Sequence, residues 1–283
     1  MGIGPRSRSC WALALCLLGV LAASAVHPGP ASAASQDGAA RSLRISTAYG
    51  CIDWGERFIE VVGQAAPGPP STDLSEVRAA AEYVARRDLL ARLNSTLHAL
   101  SVDANQTVGQ LLEAPAAAER RRTVGALIEA YEVTQTRYFS DGGVQMRARL
   151  PLDRGLAAAL SENLPQAPQG AWVPTVVVVV KGDPPLACLA PRLLDADGNS
   201  LLQAMADPLR AGAPRGLPAY RQLEPSASLG PWAKRAKLLL RAAPYPGPHA
   251  ADLRLEPADA RRLRQFLRAP GTPAVLRLIF LLA

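Results

Sequence analysis

The sequence predicts an α+β fold in which helices pack on one face of a mainly antiparallel sheet, followed by a second, β-rich α+β domain. Three stretches carry that expectation. Residues 58–93, "FIEVVGQAAPGPPSTDLSEVRAAAEYVARRDLLARL", pass from an apolar run through a Gly- and Pro-rich corner into a long amphipathic segment. "SDGGVQMRARLPL" places strict two-residue alternation behind a glycine turn. "TVVVVVKGD" is an apolar run of strand length, rich in β-branched side chains.

In chain order, residues 34–43 read as a flexible mature terminus, "LRISTAYG" as a short strand and "IDWGERFIEVVG" as a longer one. A helix begins near Asp73, whose carboxylate can accept from first-turn amides, with Glu76 completing a capping-box pattern. Leu74, Val77, Ala81, Val84, Leu90, Leu93, Leu97 and Leu100 recur at three- and four-residue steps with one slip, so they form the expected buried stripe. Arg78, Glu82, Arg86 and Arg87 fall on other faces. After a polar stretch, "PAAAERRRTVGALIEAY" gives a second helix. "EVTQTRYFSDGGVQMRARLPL" is a hairpin turning at Ser140–Gly143, with Val144, Met146, Ala148 and Leu150 on one face and Gln145, Arg147 and Arg149 on the other.

A short helix, "RGLAAALSEN", and the stretch "LPQAPQGAWVP" put a domain boundary at about residue 170. The expected domains are therefore 44–165 and 171–283, behind a signal segment at 1–33. In the second domain the valine run reads as a strand buried on both faces, and "RLLDADGNSLL" as a hairpin about Asp197-Gly198. "KLLLRAA" and "DLRLEP" are strands, residues 257–267 a helix capped near Glu256, and the closing strand starts at Ala274.

Arg6 and Arg8 before the apolar run Trp11–Ala22, then small residues at Ala23-Ser24-Ala25 and Ala31-Ser32-Ala33, are the parts of a secretory signal peptide, with cleavage expected after Ala33. The chain is thus expected to be exported, to the periplasm or the outer-membrane periphery. Its 31 basic residues against 24 acidic ones are almost all arginine, a composition typical of GC-rich coding, and Arg120–Arg122 read as a solvated helix face. No nucleic-acid partner is expected. No later apolar run reaches the ~18 residues a membrane-spanning helix needs, so no transmembrane span is expected in the mature chain. Removal of residues 1–33 leaves Cys51 and Cys188. In an oxidising compartment they can pair as a disulfide, worth ~4 to 5 kcal/mol in the chain-entropy model, and two buried thiols are the alternative.

The opening corner is expected to be a strand-to-helix turn and not a phosphate site. "GQAAPGPPSTDLSE" lacks G-x-G-x-x-G and G-K-[ST], and Pro67, Pro69 and Pro70 offer no N–H to an anion. Asp195, Asp197 and Asn199 are spaced like a fragment of a calcium loop, but a hairpin turn uses the same residues. A hydrolase would have to employ His98 or His249, and no nucleophile motif accompanies either. No catalytic residue, cofactor or metal site is expected.

Trp54-Gly55, then "IEVVGQA", "AAAEYVARRDLLARL" and "VTQTRYFSDGGVQMRARLPL", together resemble bacterial outer-membrane lipoproteins related to the flagellar proteins P and T. The shared features span residues 52–152: the Trp before a strand, the glycine ending that strand, the alanine-spaced helix and the Asp141-Gly142 hairpin. The resemblance implies a non-enzymatic cell-envelope protein that works through contacts with envelope proteins or with itself, and it implies a link to motility. Lipoprotein relatives carry an acylated Cys after the apolar segment, whereas Cys16 follows Leu15 within it, which argues against a lipid anchor. The alternative function is a periplasmic small-ligand or glycan-binding protein, using Trp172 at the domain junction or the loops around Trp232 and Tyr245.

Overall fold

The computed structural model describes residues 40–67, 73–153, 155–160, 173–203, 217–246, 251–270 and 276–283. The signal segment 1–33, the boundary at about 170, Trp172, His249 and most of the residue 66–72 corner lie outside them. In chain order the first elements are β1 (Ala40–Ser42), β2 (Arg44–Thr47), β3 (Gly50–Asp53), β4 (Phe58–Ala65), α1 (Leu74–His98) and α2 (Val108–Glu113). There follow α3 (Ala118–Glu129), β5 (Glu132–Tyr138), β6 (Val144–Pro151), α4 (Leu156–Leu160), β7 (Thr175–Val180), β8 (Arg192–Leu194) and β9 (Ser200–Gln203). The chain closes with β10 (Ala219–Leu223), α5 (Gly230–Arg235), β11 (Leu238–Pro244), β12 (Leu253–Leu255), α6 (Pro257–Arg268) and β13 (Arg277–Leu282).

The fold is α+β, as expected. An antiparallel sheet ordered β2-β3-β4-β6-β5 carries α1 on one face, and a mixed sheet follows, ordered β1-β10-β13-β7-β11-β12-β8-β9. At the centre of the mixed sheet β7 lies parallel to both β11 and β13, and Val176 to Val180 are all buried. Strands covered on both faces have no solvated side to mark with polar residues, which is why this one reads as unbroken valine.

Two readings change in the first sheet. "IDWGERFIEVVG" is two antiparallel strands, β3 and β4, joined by a turn at Trp54–Arg57 in which Arg57 takes a left-handed φ of 56°. The buried stripe of α1 runs through Ala81, Ala85, Leu89, Leu93 and Leu97, with Val84 half exposed at 50%. The cause is Gly63. It sits inside β4 and not at its end, and a Cβ there would lie 2.4 Å from the Leu89 Cβ and 2.5 Å from the Ala85 carbonyl oxygen. Alanine and glycine let helix and strand approach, and the four-residue spacing through Ala85 becomes the contact line.

Asp73 caps α1 as expected, accepting from the Ser75 N–H at 2.8 Å. The polar stretch after α1 holds a helix that was not expected, α2, started by a full capping box between Thr107 and Gln110. For α6 no side chain caps the first turn, and Pro257 at its start supplies the fixed φ.

The strands of the first sheet are unequal. β3 pairs with β4 only from Phe58 to Val61, and once the Val62 N–H has bonded the Tyr49 carbonyl at 3.0 Å the later backbone of β4 has no strand on that side. Two α1 side chains close it: the Gln64 N–H donates to Asp88 at 2.8 Å, and Arg92 donates to the Val62 carbonyl at 2.7 Å and to Asp88 at 2.9 Å. The same device recurs in the mixed sheet. β12 meets β11 only from Ala242 onward, and the Arg241 N–H donates to Asp259 at 2.7 Å while Arg262 donates to the Leu239 carbonyl at 3.1 Å and to Asp259 at 2.8 Å. In each case a helical Asp–Arg pair bonds one N–H and the C=O two residues earlier, the pair of groups a neighbouring strand would have used.

The sheets meet where Trp54 packs. Its N–H donates to the Leu43 carbonyl, the Leu43 N–H to Tyr220 and the Tyr220 N–H to the Trp54 carbonyl, closing a ring of three backbone bonds at 2.9, 3.1 and 3.2 Å. The Trp54 ring stands edge-on to Tyr220 at 5.6 Å, and Tyr220 stacks on Phe280 at 4.9 Å. One apolar cluster includes Val61 and Leu150 of the first sheet and Val178 and Phe280 of the second.

Gly63→Ala is expected to cost about 2 to 3 kcal/mol in urea unfolding, because neither backbone nor Leu89 Cβ can yield cheaply. Asp259→Ala strands the Arg241 amide and is expected to cost about 1 to 3 kcal/mol. Hydrogen exchange checks the cause: Arg241 should exchange faster in Asp259→Ala, and Gln64 faster in Asp88→Ala, each without effect on the other site.

Candidate interaction surface

The open face of the five-stranded sheet is occupied by its own charges. Glu60 on β4 accepts from Arg149 at 2.7 Å and Arg147 at 3.3 Å, both on β6, and the Arg149 guanidinium lies 4.5 Å from the Phe58 ring centre. On β2, Arg44 donates to the fully buried Asp53 at 2.7 Å, which also accepts from Ser42 and the Glu56 N–H. The alternation of β6 thus yields a solvated lattice of ion pairs on one side and core on the other.

The edge of that sheet is different. Among the described residues β5 pairs with β6 alone, so its outer row of backbone groups faces away from the sheet, and six of its seven side chains are exposed. The sheets end otherwise in strands of three or four residues, β1, β2 and β9, while β5 has seven. Exposed apolar side chains lie along it: Val133 at 41%, Tyr138 at 53% and, just beyond the strand, Phe139 at 50%. The Tyr138 hydroxyl donates to Glu82 of α1 at 2.8 Å, and that acceptor, with lesser help from burial, raises the phenol above its ordinary pKa. Tyr83, one residue further along α1, is exposed with Arg87 over its ring. β-strand edges of this length and exposure are sites where another strand adds.

The residues singled out in the sequence do not converge. Cys51 is half-buried on β3 and Cys188 is buried before β8, and both are free thiols. Burial raises the Cys51 thiol and pushes Cys188 up to about 12. The Cys188 N–H donates to the Tyr220 hydroxyl at 3.3 Å, and that hydroxyl donates to the Cys188 carbonyl at 3.0 Å. His98 is half-buried in the last turn of α1. Asp195 organises a hairpin turn, accepting from the Asp197 and Asn199 N–H groups, and it also receives Arg264 of α6. Among the described residues no group of three or more His, Cys, Asp or Glu could hold a metal ion.

Trp232, expected in a loop, is buried in α5, where it packs with Val177, Val179 and Leu281 on the second face of the mixed sheet. Beside it a cavity of about 220 Å³ is lined by Val179, Leu229, Leu239, Arg241, Asp259 and Arg262. Its carboxylate is the one already bonded to the Arg241 amide and to Arg262. Tyr245 is half-buried, its N–H bonded to the Asp252 carbonyl and its hydroxyl beside Gly198. No family model and no curated protein matches the chain.

The length of β5 was legible, but its place at the sheet edge was not, because nothing in "EVTQTRY" distinguishes an outer strand from an inner one. The two Asp–Arg strand caps were also missed. Asp88-x-x-x-Arg92 and Asp259-x-x-Arg262 look like ordinary surface helix pairs.

The Cys188 thiol gives a pH test. Its folded pKa lies above the ordinary 9.0, so the stability linked to it is complete below pH 9.0 and is lost as pH climbs toward 12. Tyr220, raised mainly by burial, acts in the same direction. Urea midpoints should therefore fall across that window, and fall less steeply in Cys188→Ala than in the wild type.

Proposed function

We propose that this protein is a non-enzymatic structural or assembly component of the bacterial cell envelope that acts through protein–protein contacts. The observation that carries the reading is the β5 edge. At two other places among the described residues, strand backbone left without a neighbour is closed by a helical Asp–Arg pair, and the other sheet-edge strands are only three or four residues long, whereas β5 keeps seven residues at its edge beside Val133, Tyr138 and Phe139. A long edge of this kind is an aggregation hazard unless something pairs with it, so its retention favours a dedicated partner. Export to the periplasm or outer-membrane periphery follows from the signal-like segment at 1–33, and the motility link from the resemblance over residues 52–152. No helix of the described residues is long and apolar enough to cross a membrane.

Fractionation of cells carrying the tagged full chain, combined with crosslinking in intact envelopes, tests this reading. The expected result is a processed form in the periplasmic or outer-membrane fraction that crosslinks into discrete species of higher mass. An unprocessed cytoplasmic form, or an exported one that crosslinks to nothing, overturns it.

A further inference from the structure

The β5 edge carries a bulge, and the bulge sets its charge pattern. Val133 pairs with Ala148 and Gln135 with Arg147, so Thr134 is the extra residue, its hydroxyl spent on the Arg147 carbonyl at 3.2 Å. Without it Glu132 and Arg137, five positions apart, would point to opposite faces. With it, Glu132, Gln135 and Arg137 stand opposite Arg149, Arg147 and Gln145 in turn, all on the open face of the sheet, while Val133, Thr136 and Tyr138 stand on the helix face. Opposite charges thereby stand at equal ladder distances on either side of Gln135.

That symmetry identifies an occupant. When two such edges lie antiparallel about a two-fold axis through Gln135, Glu132 of each copy falls opposite Arg137 of the other, and Val133 opposite Thr136. Every contact is made twice, and no like charges oppose. Tyr138 and Phe139 flank the seam at both ends, with Tyr138 bonded to Glu82 on α1 of its own copy. We propose that β5 pairs antiparallel with β5 of a second copy of this chain, joining the two five-stranded sheets into one. The pairing rests on the contact-driven reading above and names its partner and surface. An unrelated peptide strand could occupy the edge too, but it would have no reason to require opposite charges placed symmetrically about one residue.

Sedimentation velocity on the purified full chain tests it with Glu132→Arg and Arg137→Glu, both at exposed positions, with circular dichroism to confirm folding. The wild type should dimerise, and each variant alone should dimerise about tenfold or more weakly, since each sets like charges against each other twice. An equimolar mixture of the two variants should recover the dimer, because Arg at 132 of one then meets Glu at 137 of the other and the remaining pair is also opposite in sign. Wild type that stays monomeric, variants that dimerise like wild type, or a mixture that fails to recover, each overturns the pairing. A monomer that still crosslinks to a different envelope protein removes this dimer and leaves the contact-driven function standing; a monomer that crosslinks to nothing removes both.

Discussion

The structure is governed by the need to satisfy strand backbone that has no strand beside it. A peptide N–H or C=O withdrawn from water and left unbonded costs as much as several good contacts return, so strands of unequal length must be completed by something else. In this chain the completing group is a helical carboxylate with its guanidinium neighbour. Asp88 and Arg92 extend the edge that β3 leaves short, and Asp259 and Arg262 extend the one that β12 leaves short. The pairs also fix their helices: α1 cannot slide along β4, nor α6 along β11, without breaking two backbone bonds. Packing then follows from position, and the close approach at Gly63 is possible because the register is already held.

The second consequence concerns the joint between the sheets. Leu43 and Trp54, close in the chain, bond with the distant Tyr220 in a closed ring through their backbones, with the Trp54–Tyr220–Phe280 rings packed against it. Tyr220 also reaches the loop before β8 through Cys188, so one hydroxyl ties the joint to a segment that carries no regular structure. Burying the phenol and thiol together keeps both protonated, which makes Cys188 a packing residue. Against this background the β5 edge stands out, since it is the longest of the sheet-edge strands among the described residues and no Asp–Arg pair of the kind at β4 and β11 is seen there.

Much of this was legible in the residues. The alternation of Val144, Met146, Ala148 and Leu150, the Asp141-Gly142-Gly143 turn, the valine strand, the hairpin at Asp197-Gly198 and the Asp73 cap all appear where pattern and turn chemistry put them. Each is decided by neighbours within a few residues. The readings that changed were decided at longer range. Val84 and Leu90 look as apolar as Leu89 and Leu93, but the small pair Ala85 and Gly63 chooses which line of α1 touches the sheet. Trp232 sits in a segment rich in Gly, Pro and Ser that reads as loop, and it is buried because Val177, Val179 and Leu281 leave it an apolar seat.

What the sequence determined by itself was the α+β class, the position of most strands and helices and the lack of a recognisable catalytic motif, because periodicity and turn residues act locally. Tertiary structure alone decided which strand stands at the edge, which Asp–Arg pairs serve the backbone, and that a bulge turns Glu132 and Arg137 to one side. Those outcomes depend on which segments meet across the fold, and strand order and register are properties of the assembled sheet that no single stretch of residues contains.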